Sequence, residues 1–149
     1  MIVPKARHRT IAAAVIFDGW GRLLLQLRDD IPTIRYPGKL GLFGGHRQGD
    51  ETPLECVVRE VHEELTYYIP PGRFRFLATR EDVDSEVIGG TMRADFFVVR
   101  DVPTHELAIT EGTLVVAALR EVGAIDHKLT PNARFALKAF LRLGRGKLF

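Results

Sequence analysis

The sequence predicts a layered α/β or α+β domain on one core, and three observations carry that reading. Short apolar, strand-like runs are interspersed with two longer segments of helical periodicity. The chain has 149 residues, the size of one domain and enough to bury a real core. Its 46% hydrophobic and 27% charged content is ordinary for a globular protein, and no repeat, linker or low-complexity stretch divides it. The whole span 1–149 therefore reads as one domain.

In chain order, Ile11–Phe17 and Leu23–Arg28 flank Asp18-Gly19-Trp20-Gly21-Arg22, whose turn chemistry predicts a hairpin. Asp29 to Lys39 is a loop containing Pro32 and Tyr36-Pro37-Gly38. Leu40-Gly41-Leu42-Phe43 reads as a short strand running into a Gly44-Gly45 bend. The first helix follows. Phe74–Glu81 is expected as a strand with Phe74, Phe76 and Ala78 alternating, and Thr91–Arg100 as another, with Val87-Ile88-Gly89-Gly90 in the turn between them. Pro103 to Gly112 is a second polar loop, and Leu114–Leu119 is apolar enough for a buried strand. Thr130-Pro131 announces a last helix with the stripe Ala133, Ala136, Leu137, Phe140 and Leu141, ended by Gly144. Lys138, Arg142, Arg145 and Lys147 make its end mildly basic.

Charge and cysteine usage remove several function classes. The net charge is only +2, and no dense Lys/Arg stripe with interleaved aromatics suggests nucleic acid. The basic residues near Lys5-Ala6-Arg7-His8-Arg9, together with Arg28, Arg35 and Lys39, suit a phosphorylated small molecule. One cysteine, Cys56, excludes an internal disulfide and a thiolate zinc site, and its helical position predicts a packed thiol. The apolar run Ile11–Phe17 superficially suggests a signal peptide, but it is short and stops in a turn rather than at a small-residue cleavage site. No stretch is long enough to span a bilayer, so the expected compartment is the cytoplasm.

The first helix carries most of the chemistry. Thr52 can cap it, Pro53 suits its first position, and Glu55 completes a capping box. Leu54, Val57, Val58, Val61 and Leu65 form a core stripe, and Ile69 before Pro70-Pro71-Gly72 cannot stay helical, so the helix should run from about Pro53 to Tyr68. Glu60, Glu63 and Glu64 share a face away from that stripe. Arg59 lies four positions from both Glu55 and Glu63 and can bridge them. Three carboxylates on one turn repel each other unless a cation sits among them. A hard ion such as Mg²⁺ takes carboxylate oxygens and binds alongside substrate phosphates. Next to a glycine bend, with the Gly44 carbonyl available, this is the donor set such an ion needs.

The spacing Gly45, five residues, Glu51, seven residues, Arg59-Glu60-Val61-His62-Glu63-Glu64 resembles the signature box of the Nudix hydrolases. Thr66 stands where that family has glycine, and Tyr67 where it has an aliphatic residue. The resemblance implies an α/β/α sandwich with a mixed central sheet. It further implies Glu60 and Glu64 as principal metal ligands, Glu63 nearby, and the Gly44 carbonyl contributing. Arg59 would orient a glutamate, and Glu51 would hold the loop. The ion implied is Mg²⁺, with Mn²⁺ as the alternative. A further acid or base from a late loop is expected; Glu111 is the candidate, with Glu106, His105 and His127 behind it. Arg28, Arg35, Lys39 and Gly45 are the expected substrate contacts.

The activity implied is metal-dependent hydrolysis of the phosphoanhydride in a nucleoside diphosphate linked to another group. Other substrates within that chemistry are a damaged nucleoside triphosphate (MutT-like), an ADP-ribose-like molecule, or the 5′ end of an RNA. Tyr36, Phe43 and Trp20 are the aromatics available to stack on a base. A domain that senses a nucleotide without hydrolysing it is the rival class, although such domains usually lose box carboxylates that are kept here. The superfamily's isoprenoid-diphosphate isomerases use a cysteine outside the box, which Cys56 is not. The expected partner is a small nucleotide-type diphosphate, with no membrane and no nucleic acid, and a homodimer is left open.

Overall fold

A computed structural model describes residues 8–84 and 88–143. Seven strands form one mixed sheet: β1 (His8–Phe17), β2 (Leu23–Leu27), β3 (Leu40–Gly41), β4 (Phe43–His46), β5 (Arg75–Val83), β6 (Thr91–Val99) and β7 (Thr113–Ala117). Three α-helices, α1 (Pro53–Leu65), α2 (Val122–Ile125) and α3 (Pro131–Leu143), and four short 3-10 turns accompany the strands among the described residues. The path β3-β2-β1-β6-β5 runs across the sheet, with β4 also on β1 and β7 on β2. β1 and β6 are parallel, and the remaining pairs are antiparallel.

Two-residue alternation along β1 divides the core. Ala12, Ala14 and Ile16 belong to the cluster that packs α1 through Cys56, Val57, Val61 and Leu65. Ala13, Val15 and Phe17 belong to the cluster that packs α3 through Ala133, Ala136, Leu137 and Phe140. Both sheet faces are therefore covered, as an α/β/α sandwich requires. A buried Leu or Phe contributes roughly 1.5–3 kcal/mol, so a few such residues per face outweigh any single cap.

α1 begins as its sequence dictates. Glu55 N–H donates to Thr52 Oγ1 at 3.1 Å, and Thr52 N–H donates to the Glu55 carboxylate at 3.0 Å. The helix ends at Leu65 rather than Tyr68, because Thr66 adopts the left-handed conformation (φ 52°, ψ 41°) that glycine usually supplies at a helix end. Thr66 Oγ1 donates to Ala108 O at 2.7 Å, Ala108 N–H to Leu65 O at 3.0 Å, and Thr110 N–H to Glu64 O at 3.0 Å. The loop from Pro103 to Gly112 is thus fastened to the last carbonyls of α1.

Several expectations need correction. The expected strand 40–43 is two strands on different partners, and Gly44-Gly45 lies within β4, paired with Ala13 and Ala12, rather than in a bend. Phe76 is 56% exposed because a bulge between Phe76 and Ala78 turns Leu77 inward instead. Among the described residues β7 pairs only with β2 and is an edge strand, with Val116 partly exposed, not a buried one. Leu141 is exposed at 47% and off the α3 stripe, and α2 carried no recognised signal. Glu55 is engaged in its capping box and is not bridged by Arg59. Lys5, Ala6 and Arg7, Val87, Gly144, and Arg145 and Lys147 lie outside the described residues.

Cys56 is fully buried, and its thiol lies 3.5 Å from Gly45 O. Burial above all, then the Glu51 charge, pushes the thiol up to about 11. At pH 8 the reactive thiolate is then scarce. A thiol reagent is expected to label native protein far more slowly than protein in denaturant; equal rates would contradict this burial. At Thr66, Thr66→Val keeps the branched side chain in a left-handed residue and loses the bond to Ala108. It should cost about 1 kcal/mol in denaturant melts. Thr66→Gly, which also loses the bond but relieves the backbone, should cost less.

Candidate active site

β1 changes partner along one edge, and the site sits in the resulting fork. Its other edge is occupied by β6 from His8 to Ile16. On the shared edge, Phe17 and Ile16 face β2, whereas Ala14 to Ile11 face β4. β2 and β4 therefore diverge, and a cleft of about 400 Å³ opens beside the gap. α1 packs against β4 and delivers its acidic face there. The gap requires glycine: a Cβ at Gly44 would sit 2.3 Å from Ala12 O, and one at Gly45 would sit 2.4 Å from the Glu60 carboxyl carbon.

Glu64 reaches into the fork. Gly44 N–H donates to its Oε1 at 2.8 Å, and Gln26 Nε2 lies 3.4 Å from its Oε2. Burial, and then the charges of Glu60 and Glu111, push this carboxyl up to about 8 against the opposing pull of the Gly44 amide and Arg28. Arg59 is the hub for the other acids. It bonds Glu51 at 2.6 and 3.0 Å, Glu60 at 2.9 Å, Glu63 at 3.3 Å, and the His46 carbonyl at 3.0 Å. The Arg59 bond holds the Glu51 carboxyl down at about 2, helped by Gln48 N–H. Arg59 thereby ties the β4–α1 loop to the helix while partly neutralising Glu60 and Glu63.

The structure brings Arg28, Arg35, Gly44, Gly45, Glu60, Glu63, Glu64 and Glu111 to one cleft. Arg28 Nε donates to Arg35 O at 2.6 Å, which fastens the 29–39 loop beside the cleft with Tyr36 on its wall. Gln26 Nε2 also donates to the Glu111 carbonyl at 3.0 Å. Lys39 does not join them: its Nζ reaches the His127 carbonyl at 3.2 Å and does not line the cleft. Neither Glu106 nor His127 lines it, and His105 borders a separate hollow with Trp20. Phe43 is a core residue, so of the three aromatics only Tyr36 borders the cleft.

Sequence reasoning missed Gln26, Arg80 and Asn132, all on the cleft wall, while Arg9, expected among the basic residues suited to a phosphorylated small molecule, does line it. Gln26 had a signal: it is a lone polar residue, nearly fully buried, in the apolar run Leu23–Leu27. The others gather only through tertiary pairing.

Among the described residues, no three acidic, histidine or cysteine groups already enclose a single point as an ion cage. Arg59 draws Glu60 and Glu63 toward itself, while Gly44 holds Glu64. The chemistry of the donors nevertheless fits a hard cation. They are carboxylate oxygens, and partial burial, with the nearby Glu60 and Glu111, makes Glu64 resist ionisation, which a divalent ion would relieve.

Comparisons with known proteins bear on this arrangement. The NUDIX domain family model matches residues 6–140. A MutT NUDIX hydrolase from Burkholderia pseudomallei is 26% identical, with 89% of this chain and 98% of that one covered and a TM-score of 0.70. The MutT protein of Methanosarcina mazei Go1 is 21% identical over 94% and 97% of the two chains, with a TM-score of 0.76. A bifunctional NMN adenylyltransferase/ADP ribose pyrophosphatase from Francisella tularensis, complexed with AMP and a Mn ion, is 15% identical at a TM-score of 0.67, covering 94% of this chain and 43% of that one. No curated protein matches the chain. No helix among the described residues is long and apolar enough to cross a membrane. With the match running from ahead of β1 into α3, the chain belongs to the Nudix family, hydrolases of phosphorus-containing anhydrides that generally use divalent metal ions and act on small nucleotide-type substrates.

Proposed function

We propose that this protein is a metal-dependent pyrophosphohydrolase that splits the phosphoanhydride of a nucleoside diphosphate linked to another moiety. The observation that carries the reading is Glu64: a half-buried carboxylate on the cleft wall, held by one backbone amide, facing Glu60 and Glu111, and pushed up to about 8. Glu60 and Glu64 would hold Mg²⁺, or Mn²⁺ in its place, with Glu63 and the Gly44 carbonyl as further donors. When bound, such an ion supplies Lewis-acid polarisation of the phosphoanhydride and a more acidic water. Arg28 and Arg35 take the phosphate oxygens, and the bare Gly45 backbone lets them approach. Arg59 steadies Glu60 and Glu63. Glu111, fastened through its loop to the end of α1, is the base that receives the proton of the attacking water.

A second reading, hydrolysis of a damaged nucleoside triphosphate, is favoured by the MutT names of two structural neighbours. The third neighbour's ADP ribose pyrophosphatase activity favours the first. Product release from nucleotide sugars, ADP-ribose, dinucleotides and oxidised triphosphates, with and without Mg²⁺, decides between them. Absence of metal-dependent release from all of these would exclude hydrolysis.

Three variants test the site itself. Glu64→Gln keeps an acceptor for Gly44 N–H and puts a neutral group of the same shape where ionisation is opposed, so its unfolding midpoint should match or exceed wild type. Its turnover should fall by at least ~100-fold. Wild-type turnover would remove Glu64 from the ligand set. Gly45→Ala intrudes on the flexible Glu60 side chain, so it should fold and lose roughly tenfold or more in activity. Gly44→Ala collides with the β1 backbone and should lose about 2 kcal/mol or more of stability. Equal stability of the two alanine variants would contradict the close approach described.

A further inference from the structure

The cleft continues beyond the acidic cluster along β1. Arg9, Ile11 and Ala13 project from one face of that strand, and all three line the cleft. Ala13 lies opposite Gly44, and Arg9 is four residues further on, roughly 13 Å away. Met92, the β6 neighbour of Arg9, joins Ile11 and Ala13 in an apolar floor. A substrate with its phosphates between Arg28 and the acids would lay its other moiety over this floor.

Arg9 is a fixed polar group at that far end. Asp84, whose side chain is fully buried, bonds it in a fork: Oδ2 accepts from Nε at 2.5 Å and Oδ1 from Nη2 at 3.0 Å. Asp84 is itself set by the β5–β6 connection, its N–H donating to Gly90 O at 2.8 Å. Arg9 Nη1 is turned away from Asp84, 3.4 Å from His46 Nε2, with both residues on the cleft wall. Nη1 carries two N–H groups, and His46 takes at most one. The buried carboxylate counters the guanidinium charge, so what Arg9 offers the cleft is an aimed hydrogen-bond donor more than a net positive charge.

We propose that Arg9, held by Asp84, is a specificity-determining residue that donates from Nη1 to a neutral acceptor, a carbonyl oxygen or ring nitrogen of a nucleobase, on the part of the ligand remote from the phosphates. Asp84 is a positioning residue that aims it. This rests on the nucleotide reading above, but not on hydrolysis.

Binding of AMP, CMP, GMP and UMP by calorimetry, without metal, tests it, with ribose 5-phosphate as the base-free control. Arg9→Lys keeps a cation beside Asp84, so the fold should hold, but a lysine cannot keep the fork and also present Nη1. The tightest-bound monophosphate should weaken about fivefold or more, the spread among the four should narrow, and ribose 5-phosphate should bind as before. Asp84→Asn should narrow the spread in the same way. If it does not fold, Arg9→Met/Asp84→Leu, which removes both ends of the buried pair, replaces it. Wild-type affinities in Arg9→Lys, or an equal loss for ribose 5-phosphate, would overturn the assignment. So would failure of the wild-type protein to bind any of the four monophosphates. Discrimination among bases by wild-type protein that releases no product with Mg²⁺ would defeat hydrolysis alone and leave the role of Arg9 standing.

Discussion

The site depends on one hydrogen bond, from Gly44 N–H to the Glu64 carboxylate at 2.8 Å. It joins the acidic face of α1 to the strand that diverges from β2, and it holds a carboxylate in a position where burial opposes ionisation. The bond needs α1 pressed close to β4, and that closeness needs two residues without side chains. A Cβ on Gly44 would strike the β1 backbone, and one on Gly45 would strike Glu60. The glycine pair is therefore not there for flexibility. It is a gap in the sheet surface through which acids reach the cleft.

Crowding Glu60, Glu63 and Glu64 onto one helical turn would destabilise α1 if nothing opposed it. Arg59 supplies the opposition on one side, and its strongest anchor is Glu51 in the preceding loop rather than any of the three. Because Arg59 also bonds the His46 carbonyl, it fixes where β4 ends and α1 begins. Glu64 lies outside its reach and is bonded instead by the Gly44 amide. The cluster thus divides into acids bonded by Arg59 and one bonded by a backbone amide, a division set by geometry rather than residue type.

The start of α1 was legible because its determinants are local: Thr52, Pro53 and Glu55 act within one turn. The acidic face and the Arg59 link to Glu63 follow from the same helical arithmetic. The α3 stripe was equally legible apart from Leu141, which lies beyond the covered face. What was not legible depends on partners distant in sequence. Nothing in Gly44-Gly45 announces that β1 will pair with it, and nothing in Arg75–Val83 announces the bulge that exposes Phe76. Lys39 looked like a phosphate contact by charge alone, yet its side chain runs to the His127 carbonyl. Gln26 could have been found, since a lone amide in an apolar strand must bond something.

The departure at Thr66 links the helix end to the late loop. A glycine there would satisfy the left-handed turn and offer no side chain. Threonine accepts a less comfortable backbone and gains a bond to Ala108 O. Ala108 and Thr110 N–H groups bond the last carbonyls of α1, so Glu111 is carried at a set distance from the residue that bears Glu64. Gln26 closes the circuit by bonding both the Glu111 carbonyl and the Glu64 carboxylate. A loop of this kind would ordinarily move independently of the helix. Here it is bound at both the carbonyls and the hydroxyl, and the electrostatic influence of Glu111 on Glu64 follows from that attachment.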